Sequence, residues 1–554
     1  MSDRVPRGAT RIRVAGWAVL VLGVGWPAVA LVRRALSPIA GRPGLSVSTL
    51  AGVVGDDRTW RLLAVTVAQA AVSSAIATVL GVTVAWCLAR RRVIGGRLAL
   101  QLSLLAFVVP TLAMGAAVRQ LADSAPLASP HPWVLIVVAH VWFNIGFVAR
   151  ALLPVFESVA HRYDNSARLL GRGPAGAALV VLRLVAPDVA GVAGLVGIFS
   201  ATSFGVILAL GGGSVTTLEV EVWYQATRLV DLPVAAILSG VQLSLVGLAL
   251  FSINRLARRS GHIVRSGWAP TNRRGAARPR SPQTRSPQRG RSDWMATTLV
   301  WAIVGSSAVL PLVGLVRGSL RSSTTWTLDY VSAAFDPPAQ LSVAPGPALL
   351  RSLTLAITAG VAAGGIAVML LSAGRSGWSR RVAVGPLGAS GATVGLAWLI
   401  AYRWPIDLRG TIWIVLGVQV AVITPLVLLL VGPVWDDVDD RWLDVAAMSG
   451  AGRWRWSTEV RWPIVRPILA VAVGLAAAAA LGEIGATSVV GTDRHATAPI
   501  VIQQLLARPG ELSRGVASAL SLLLVLLAGG VVAVAALMAR PRRSRVPGRS
   551  SDAR

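Results

Sequence analysis

DVAAMSGAGRWRWSTEVRWPIVRP, residues 444–467, is a basic, tryptophan-bearing stretch set between two long apolar runs. A related stretch, NSARLLGRGPAGAALVVLRLVAP, occupies 165–187. Superposed, Ala167 meets Ala446, Gly171 meets Gly450, Gly173 meets Gly452 and, after a single-residue gap, Pro187 meets Pro467. Self-similarity of this kind marks an internal duplication. The chain therefore reads as two tandem halves, each carrying one such loop.

Composition places those halves in a membrane. The 554 residues are 54% hydrophobic and 14% charged, with a mean hydropathy of +0.65. That is more apolar surface than a water-soluble domain of this size buries. Apolar runs of about 20 residues, enough to cross roughly 30 Å of hydrocarbon, fall near 14–32, 62–89, 98–118, 133–155, 188–210, 233–253, 295–316, 349–373, 382–401, 411–433, 468–490 and 514–538. The fold expected is all-α, with about twelve transmembrane helices in two six-helix repeats. The first run is long and lacks a small-residue cleavage site, so it reads as a retained span.

The formal net charge of +29 follows topology. Arginines cluster at 4–13, at 90–92, through 255–291, at 375–381 and beyond 540. With twelve crossings and a cytoplasmic N-terminus, all these clusters fall on the cytoplasmic side, as positive-inside bias requires. Both termini are then cytoplasmic, the protein is multi-pass in the cell membrane, and no nucleic-acid partner is implied. Arg33 and Arg34 are the exception and face outward.

Between the halves, RRSGHIVRSGWAPTNRRGAARPRSPQTRSPQRGR is rich in Arg, Pro, Ser and Gly and has no apolar periodicity. Such a segment cannot bury enough surface to fold. The division is a first repeat at 1–257, a disordered basic linker at 258–293, a second repeat at 294–540 and a basic tail at 541–554. Each repeat holds its long cytoplasmic loop between its fourth and fifth spans, near 157–187 and 434–467. In the second loop, DVAAMSG reads as a short helix ended by glycine, the residue that best takes a left-handed backbone. A second short helix then leads to Pro463 and Pro467, expected to stop it before the membrane. Trp454, Trp456 and Trp462 suit the headgroup region, and Arg453, Arg455, Arg461 and Arg466 suit an anionic inner leaflet.

These loops resemble the E-A-A-x-x-x-G signature, followed by an apolar stretch and Leu-Pro, of membrane subunits of type I ATP-binding-cassette importers. Asp444, Val445, Ala446 and Gly450 match it with aspartate for glutamate, and Trp462 precedes Pro463; Asn165, Ser166, Ala167 and Gly171 match without an acid. HVWFNIGFVAR (140–150) and ATSFGVILALGGGSVTTLEVEVWYQA (201–226) resemble segments of fused thiamine permeases and, slightly less, ferric-iron permeases. GEIGAT (482–487) resembles G-E-F-G-A-T of iron, sulfate, molybdate and thiamine permeases. The resemblance implies a permease subunit in the lipid bilayer that passes a solute delivered by an extracytoplasmic binding protein. Thiamine or its phosphates are the implied cargo, with ferric iron as the alternative. It also implies that the loops dock on ABC ATPase subunits, two copies in all.

The energy source is consistent with that. A P-loop needs a lysine to reach the β and γ phosphates, and every one of the 53 basic residues is arginine. ATP is then used by a separate subunit; this chain binds no cofactor, holds no catalytic residues and acts as a transport subunit. The five histidines are scattered, so no metal site is expected, and the single cysteine, Cys87, reads as a small core residue. A carrier of the major facilitator type also has two six-span halves. Its signature loops, however, follow the second and eighth spans, whereas the repeat here follows the fourth and tenth.

Five polar residues inside spans are candidates for the translocation path: His140, Asn144, Ser203, Gln419 and Glu483. Gln419 is the repeat-equivalent of His140, and Ser203 that of Glu483. A carboxylate at membrane depth is costly, so it faces a cavity or a partner. Glu483 therefore either lines the path or ties two helices, through Arg150 or a backbone group.

Overall fold

A computed structural model describes residues 7–37, 46–103, 105–124, 130–259, 290–322, 325–337, 344–372, 391–438, 448–450 and 452–540. The N-terminal half contains α1 (Arg7–Leu20), a π-helical turn (Val21–Gly25), α2 (Trp26–Leu36), α3 (Val47–Gly55), α4 (Asp57–Arg90), α5 (Gly96–Leu102), α6 (Leu105–Val108), α7 (Thr111–Asp123), α8 (Pro132–Leu169), α9 (Pro174–Ala201), α10 (Gly205–Leu210), α11 (Leu218–Thr227) and α12 (Leu232–Arg259). The C-terminal half contains α13 (Arg291–Leu320), α14 (Asp329–Phe335), α15 (Pro345–Ser372), α16 (Gly391–Ala401), α17 (Ile412–Asp437), α18 (Arg453–Trp456), a second π turn (Ser457–Arg461), α19 (Trp462–Leu481), α20 (Thr487–Val490), α21 (Ala498–Leu506) and α22 (Glu511–Met538). Most of the expected linker, 260–289, lies outside the described residues, as does the tail from 541.

Ten helices among the described residues are long and apolar enough to cross a membrane, which makes this an all-α, multi-pass membrane protein. Two of the twelve apolar runs are built differently. The run at 98–118 is divided among α5, α6 and α7, because Pro110 disfavours helical backbone at Val109 and caps the start of α7 instead. The run at 382–401 is described only as the short apolar helix α16.

Small residues bring the helices together. α4 packs on α8 and α9, and a Cβ on Gly81 would fall 2.6 Å from Val148 Cγ1. α15 turns Ala356, Ala359, Gly360, Ala363 and Gly364 inward, and a Cβ on Gly360 would stand 2.9 Å from that of Ala477 in α19. In lipid, helix association depends on such packing and on interhelical hydrogen bonds, since lipid tails are as apolar as the side chains.

The halves also clasp each other. α2 lies against α16, and α13 lies against α7. Three side chains stitch the first pair: Trp26 Nε1 donates to the Ala401 carbonyl at 3.2 Å, Trp398 Nε1 to that of Gly23 at 3.1 Å, and Tyr402 Oη to that of Leu22 at 2.9 Å. Leu22 and Gly23 belong to the π turn, whose shifted bonding pattern leaves carbonyls open to such donors. At the other end of the molecule Trp301 Nε1 donates to Ile94 O at 2.8 Å, and Thr297 Oγ1 accepts from Ile94 N at 3.2 Å.

The fourth span is expected to end near 155, but α8 runs unbroken to Leu169, into the expected loop. No glycine or proline occurs between Pro154 and Leu169 to end it,. Pro463 and Pro467 do not stop a helix before the membrane: Pro463 lies in the first turn of α19 and Pro467 lies inside it. The backbone is helical from the π turn straight into α19, and a π turn ahead of a proline is one local adjustment by which a helix accommodates the missing donor,. Pro187 is likewise inside α9.

Candidate functional site

The two loop tips share one backbone conformation. Gly171 has φ +77° and Gly450 has φ +72°, with nothing within 4 Å of a Cβ built on either. In each case the next helix starts three residues later, at Pro174 and at Arg453. A left-handed glycine just past a helix C-terminus reverses the chain at least steric cost. Before each glycine an apolar side chain points into solvent: Leu169 is 88% exposed and Met448 is 89% exposed, at repeat-equivalent positions. Leu170 is 82% exposed.

Of the remaining loop residues, Ser166 is exposed, and its carbonyl accepts from Leu170 N at 3.1 Å. Asp444, Val445 and Ala446 lie outside the described residues, as do the side chains of Asn165 and Ala167. The loop tryptophans divide. Trp462 is 42% exposed, as a headgroup contact requires, whereas Trp456 is buried at 5%. The Arg461 guanidinium explains the difference, standing 4.1 Å from the Trp456 ring centre and 4.8 Å from that of Trp435. This cation–π clasp fastens the second loop to the end of α17.

A second constellation lies where spans are interrupted. α9 gives way to α10 across residues 202–204, and α19 to α20 across 482–486. Non-helical backbone at membrane depth is tolerated only where protein buries it or a cavity takes it up. Here each break packs against the third apolar run of a half. The Thr111 side chain and Leu112 N face Gly205, Gly391 Cα would be 3.3 Å from a Cβ on Gly485, and Pro110 Cα 3.0 Å from one on Gly482. The last of these contacts joins the two halves.

Glu483 sits in the second break. Its Oε1 accepts from Ala486 N at 2.7 Å and its Oε2 from Thr487 N at 3.0 Å, while Thr487 Oγ1 donates to the Glu483 carbonyl at 2.8 Å. The carboxylate thus caps α20, satisfying donors that a helix start leaves without partners. These bonds run to its own chain three and four residues on, and no hydrogen bond or ion pair to Arg150 is among those of the described residues. Gln419 reaches the same break, donating from Nε2 to Ala480 O at 3.2 Å.

His140 and Asn144 stand one turn apart on α8, with Asn144 Nδ2 donating to His140 O at 2.8 Å. α8 packs against α7 and α10, which flank the first break. No hydrogen bond among the described residues joins this pair to Glu483. Several of these buried polar atoms have no protein partner: both His140 ring nitrogens, Asn144 Oδ1, Ser203 Oγ and Gln419 Oε1. Leaving such atoms dry costs on the order of 1–3 kcal/mol each, a cost that water or a passing solute removes.

Two further carboxylates, not singled out from sequence, are buried here. Glu219 and Glu221 on α11 are 1% and 3% exposed, and α11 lies against α16 and α20 of the other half. Gln242 Nε2 donates to Glu219 Oε2, and Arg58 Nη2 pairs with Glu221 Oε2 at 3.0 Å. Their signal was two acids within the otherwise apolar LEVEVW (218–223).

No family model matches the chain. Among characterised proteins it is similar to the thiamine transport system permease protein ThiP of Brucella abortus (strain 2308), 27% identical over 539 residues that cover 92% of this chain and 93% of the relative. The ThiP of Brucella melitensis biotype 1 is 26% identical over the same shares. The sulfate transport system permease protein CysT of Escherichia coli (strain K12) is 32% identical over 214 residues, 36% of this chain and 77% of the relative.

Proposed function

The chain belongs to the permease family of ATP-binding-cassette importers, and from that premise we propose that it carries thiamine or its phosphates across the cell membrane. Similarity to thiamine permeases over 92% of the chain supports that cargo. An extracytoplasmic binding protein delivers the solute. Residues 1–257 and 294–540 act as two permease repeats joined by the linker at 258–293, with both termini in the cytoplasm. ATP is hydrolysed by separate subunits, one docked beneath each repeat, and this chain supplies no ATPase site, cofactor or metal.

One observation carries the coupling reading: Leu169 and Met448 are exposed at matching positions, each two residues ahead of a left-handed glycine. Two docked ATPase subunits need two footholds, and these tips are alike in backbone and in apolar character. When ATP draws the ATPase subunits together, each tip transmits the movement through the helix that follows it, α9 or α18 through α19. Those helices end at the breaks beside Ser203 and Glu483, so a force at the tip arrives where the spans are interrupted. His140, Asn144, Ser203 and Gln419 offer hydrogen-bonding atoms to a polar solute there. Glu483 holds the break in shape, and Glu219 and Glu221 lie buried on α11 beside it, Glu221 paired with Arg58.

The test is uptake by proteoliposomes holding this chain, its ATPase and its binding protein. Labelled thiamine should accumulate only with ATP, and ferric iron and sulfate should not. Accumulation of ferric iron instead would move the cargo to the alternative, and uptake without any ATPase would remove the importer mechanism.

A further inference from the structure

The outward arginines Arg33 and Arg34, anomalous by charge bias, have counterparts in the second half. Arg317 and Arg321 close α13 just as Arg33 and Arg34 close the first span. Both pairs lie at the end of a half's first span, opposite the loops that dock ATPase.

Around Arg317 and Arg321 the structure forms a polar cleft of about 430 Å³. Its walls are the end of α13, the start of α22 with Glu511 and Arg514, and the end of α7 with Gln120 and Asp123. Glu511 is engaged, accepting from Tyr330 Oη at 2.8 Å. Among the described residues Arg317, Arg321 and Arg514 make no ion pair, and all three line the cleft. Next to them Trp326, 67% exposed and bridged to the Arg321 backbone, and Leu328, 69% exposed, stand out from the surface. An exposed tryptophan beside basic side chains marks headgroup depth in a bilayer.

The seam made by the equivalent helices has the complementary part of the same design. α2, α12 and α16 enclose an apolar groove of about 720 Å³, lined by Leu31, Ala35, Leu63, Gly240, Leu243 and Thr393 among others. It meets at Val32 a shallow hollow that contains Arg33 and Ser37. Arg33 and Arg34 also have no ion pair among the described residues. The groove runs along membrane-spanning helices, so what fills it is hydrocarbon, and what sits at its mouth is a cation.

We propose that these two seams between the halves each bind one anionic phospholipid, its phosphate held by Arg317, Arg321 and Arg514 in one and by Arg33 and Arg34 in the other. A bound phosphate neutralises arginines that make no ion pair among the described residues and that positive-inside bias disfavours. A lipid is the occupant, not free phosphate, because an acyl chain uses the apolar groove and the exposed Trp326 and Leu328. Since α2, α12 and α16, or α13, α22 and α7, come from different halves, the lipid bridges the parts that must move. The proposal needs only the membrane placement of the chain, not its cargo.

Native mass spectrometry of the purified chain, released from nanodiscs of mixed phosphatidylglycerol and phosphatidylcholine, tests it. The unaltered protein should retain two phosphatidylglycerol molecules in preference to phosphatidylcholine. Arg317→Gln with Arg321→Gln should lose one, and Arg33→Gln with Arg34→Gln the other, with affinity falling about fivefold per arginine removed. The matching Arg→Lys variants should keep both, which separates lost charge from lost folding. Millimolar inorganic phosphate should displace neither. Equal retention of both lipids, unchanged retention in the Gln variants, lost retention in the Lys variants, or displacement by phosphate would each overturn the assignment.

Discussion

The indole of Trp398 donates a hydrogen bond to the carbonyl oxygen of Gly23 at 3.1 Å, joining residues 375 positions apart in the chain. The acceptor Gly23 lies in a π turn, and the donor is held by Tyr402, whose ring centre is 4.6 Å away and whose hydroxyl donates to the adjacent Leu22 carbonyl. The first span of one half is thereby locked to the short helix α16 of the other. Replacing Trp398 by Phe removes the donor while keeping an aromatic ring. A hydrogen bond between helices in a membrane averages about 0.6 kcal/mol, and the smaller ring adds a packing loss, so a destabilisation of about 1–2 kcal/mol is expected. Unfolding in mixed micelles measures it; an unchanged midpoint would show that the clasp contributes nothing.

Leu169→Asp and Met448→Asp should each leave insertion and thermal stability unchanged, since both side chains are already in solvent. Each should weaken co-purification of the ATPase, and the double variant should abolish it. Normal ATPase recovery with the double variant would place the foothold elsewhere.

Gly450 and Gly171 hold left-handed backbone in open space. A side chain there costs about 1–2 kcal/mol of local strain without any clash. Gly450→Ala should therefore lower ATP-driven uptake while the protein remains in the membrane, and Gly450→Glu should abolish ATPase binding, with Gly171→Glu similar or milder. Full uptake by Gly450→Glu would refute a seated tip.

Glu483→Gln keeps one amide oxygen for the α20 cap but loses the charge that held two backbone donors. Charge-assisted bonds exceed neutral ones by roughly twofold, so a stability loss of about 1 kcal/mol is expected, with transport per folded molecule unchanged. If transport falls while stability does not, Glu483 belongs to the solute path.

Tyr330 gives a pH signature on the face opposite the loops. Burial, together with the hydrogen bond to Glu511 and the nearby carboxylate charges, pushes its phenol up to about 12. Because the folded value is raised, the stability it contributes is fully present below the ordinary tyrosine value of about 10 and is lost as pH rises through about 12. Absorbance at the tyrosinate band should show a late step near pH 12 that Tyr330→Phe abolishes. A titration complete near pH 10 would contradict the contact.

Sequence alone determined the solvent, the count of apolar runs, the recurrence of the loop and the need for glycine at its turn. These are local or compositional facts: hydropathy over about 20 residues, and a backbone conformation that glycine adopts most readily. It was blind to how the runs are interrupted, since Pro110 and the Gly482–Gly485 stretch stand inside apolar sequence that reads as continuous. It also expected prolines at 463 and 467 to end a helix, because their tolerance depends on local adjustments such as the π turn before α19 and on neighbours that supply the missing bonds,. Only tertiary structure placed Gly482 against Pro110, turned the Glu483 carboxylate onto its own backbone, buried Glu219 and Glu221, and set in seams between halves arginines that make no ion pair among the described residues. The physical reason is that each of these depends on which distant segment supplies the partner, and in a membrane that partner is chosen by close packing of small residues rather than by hydrophobicity, which is uniform along the spans.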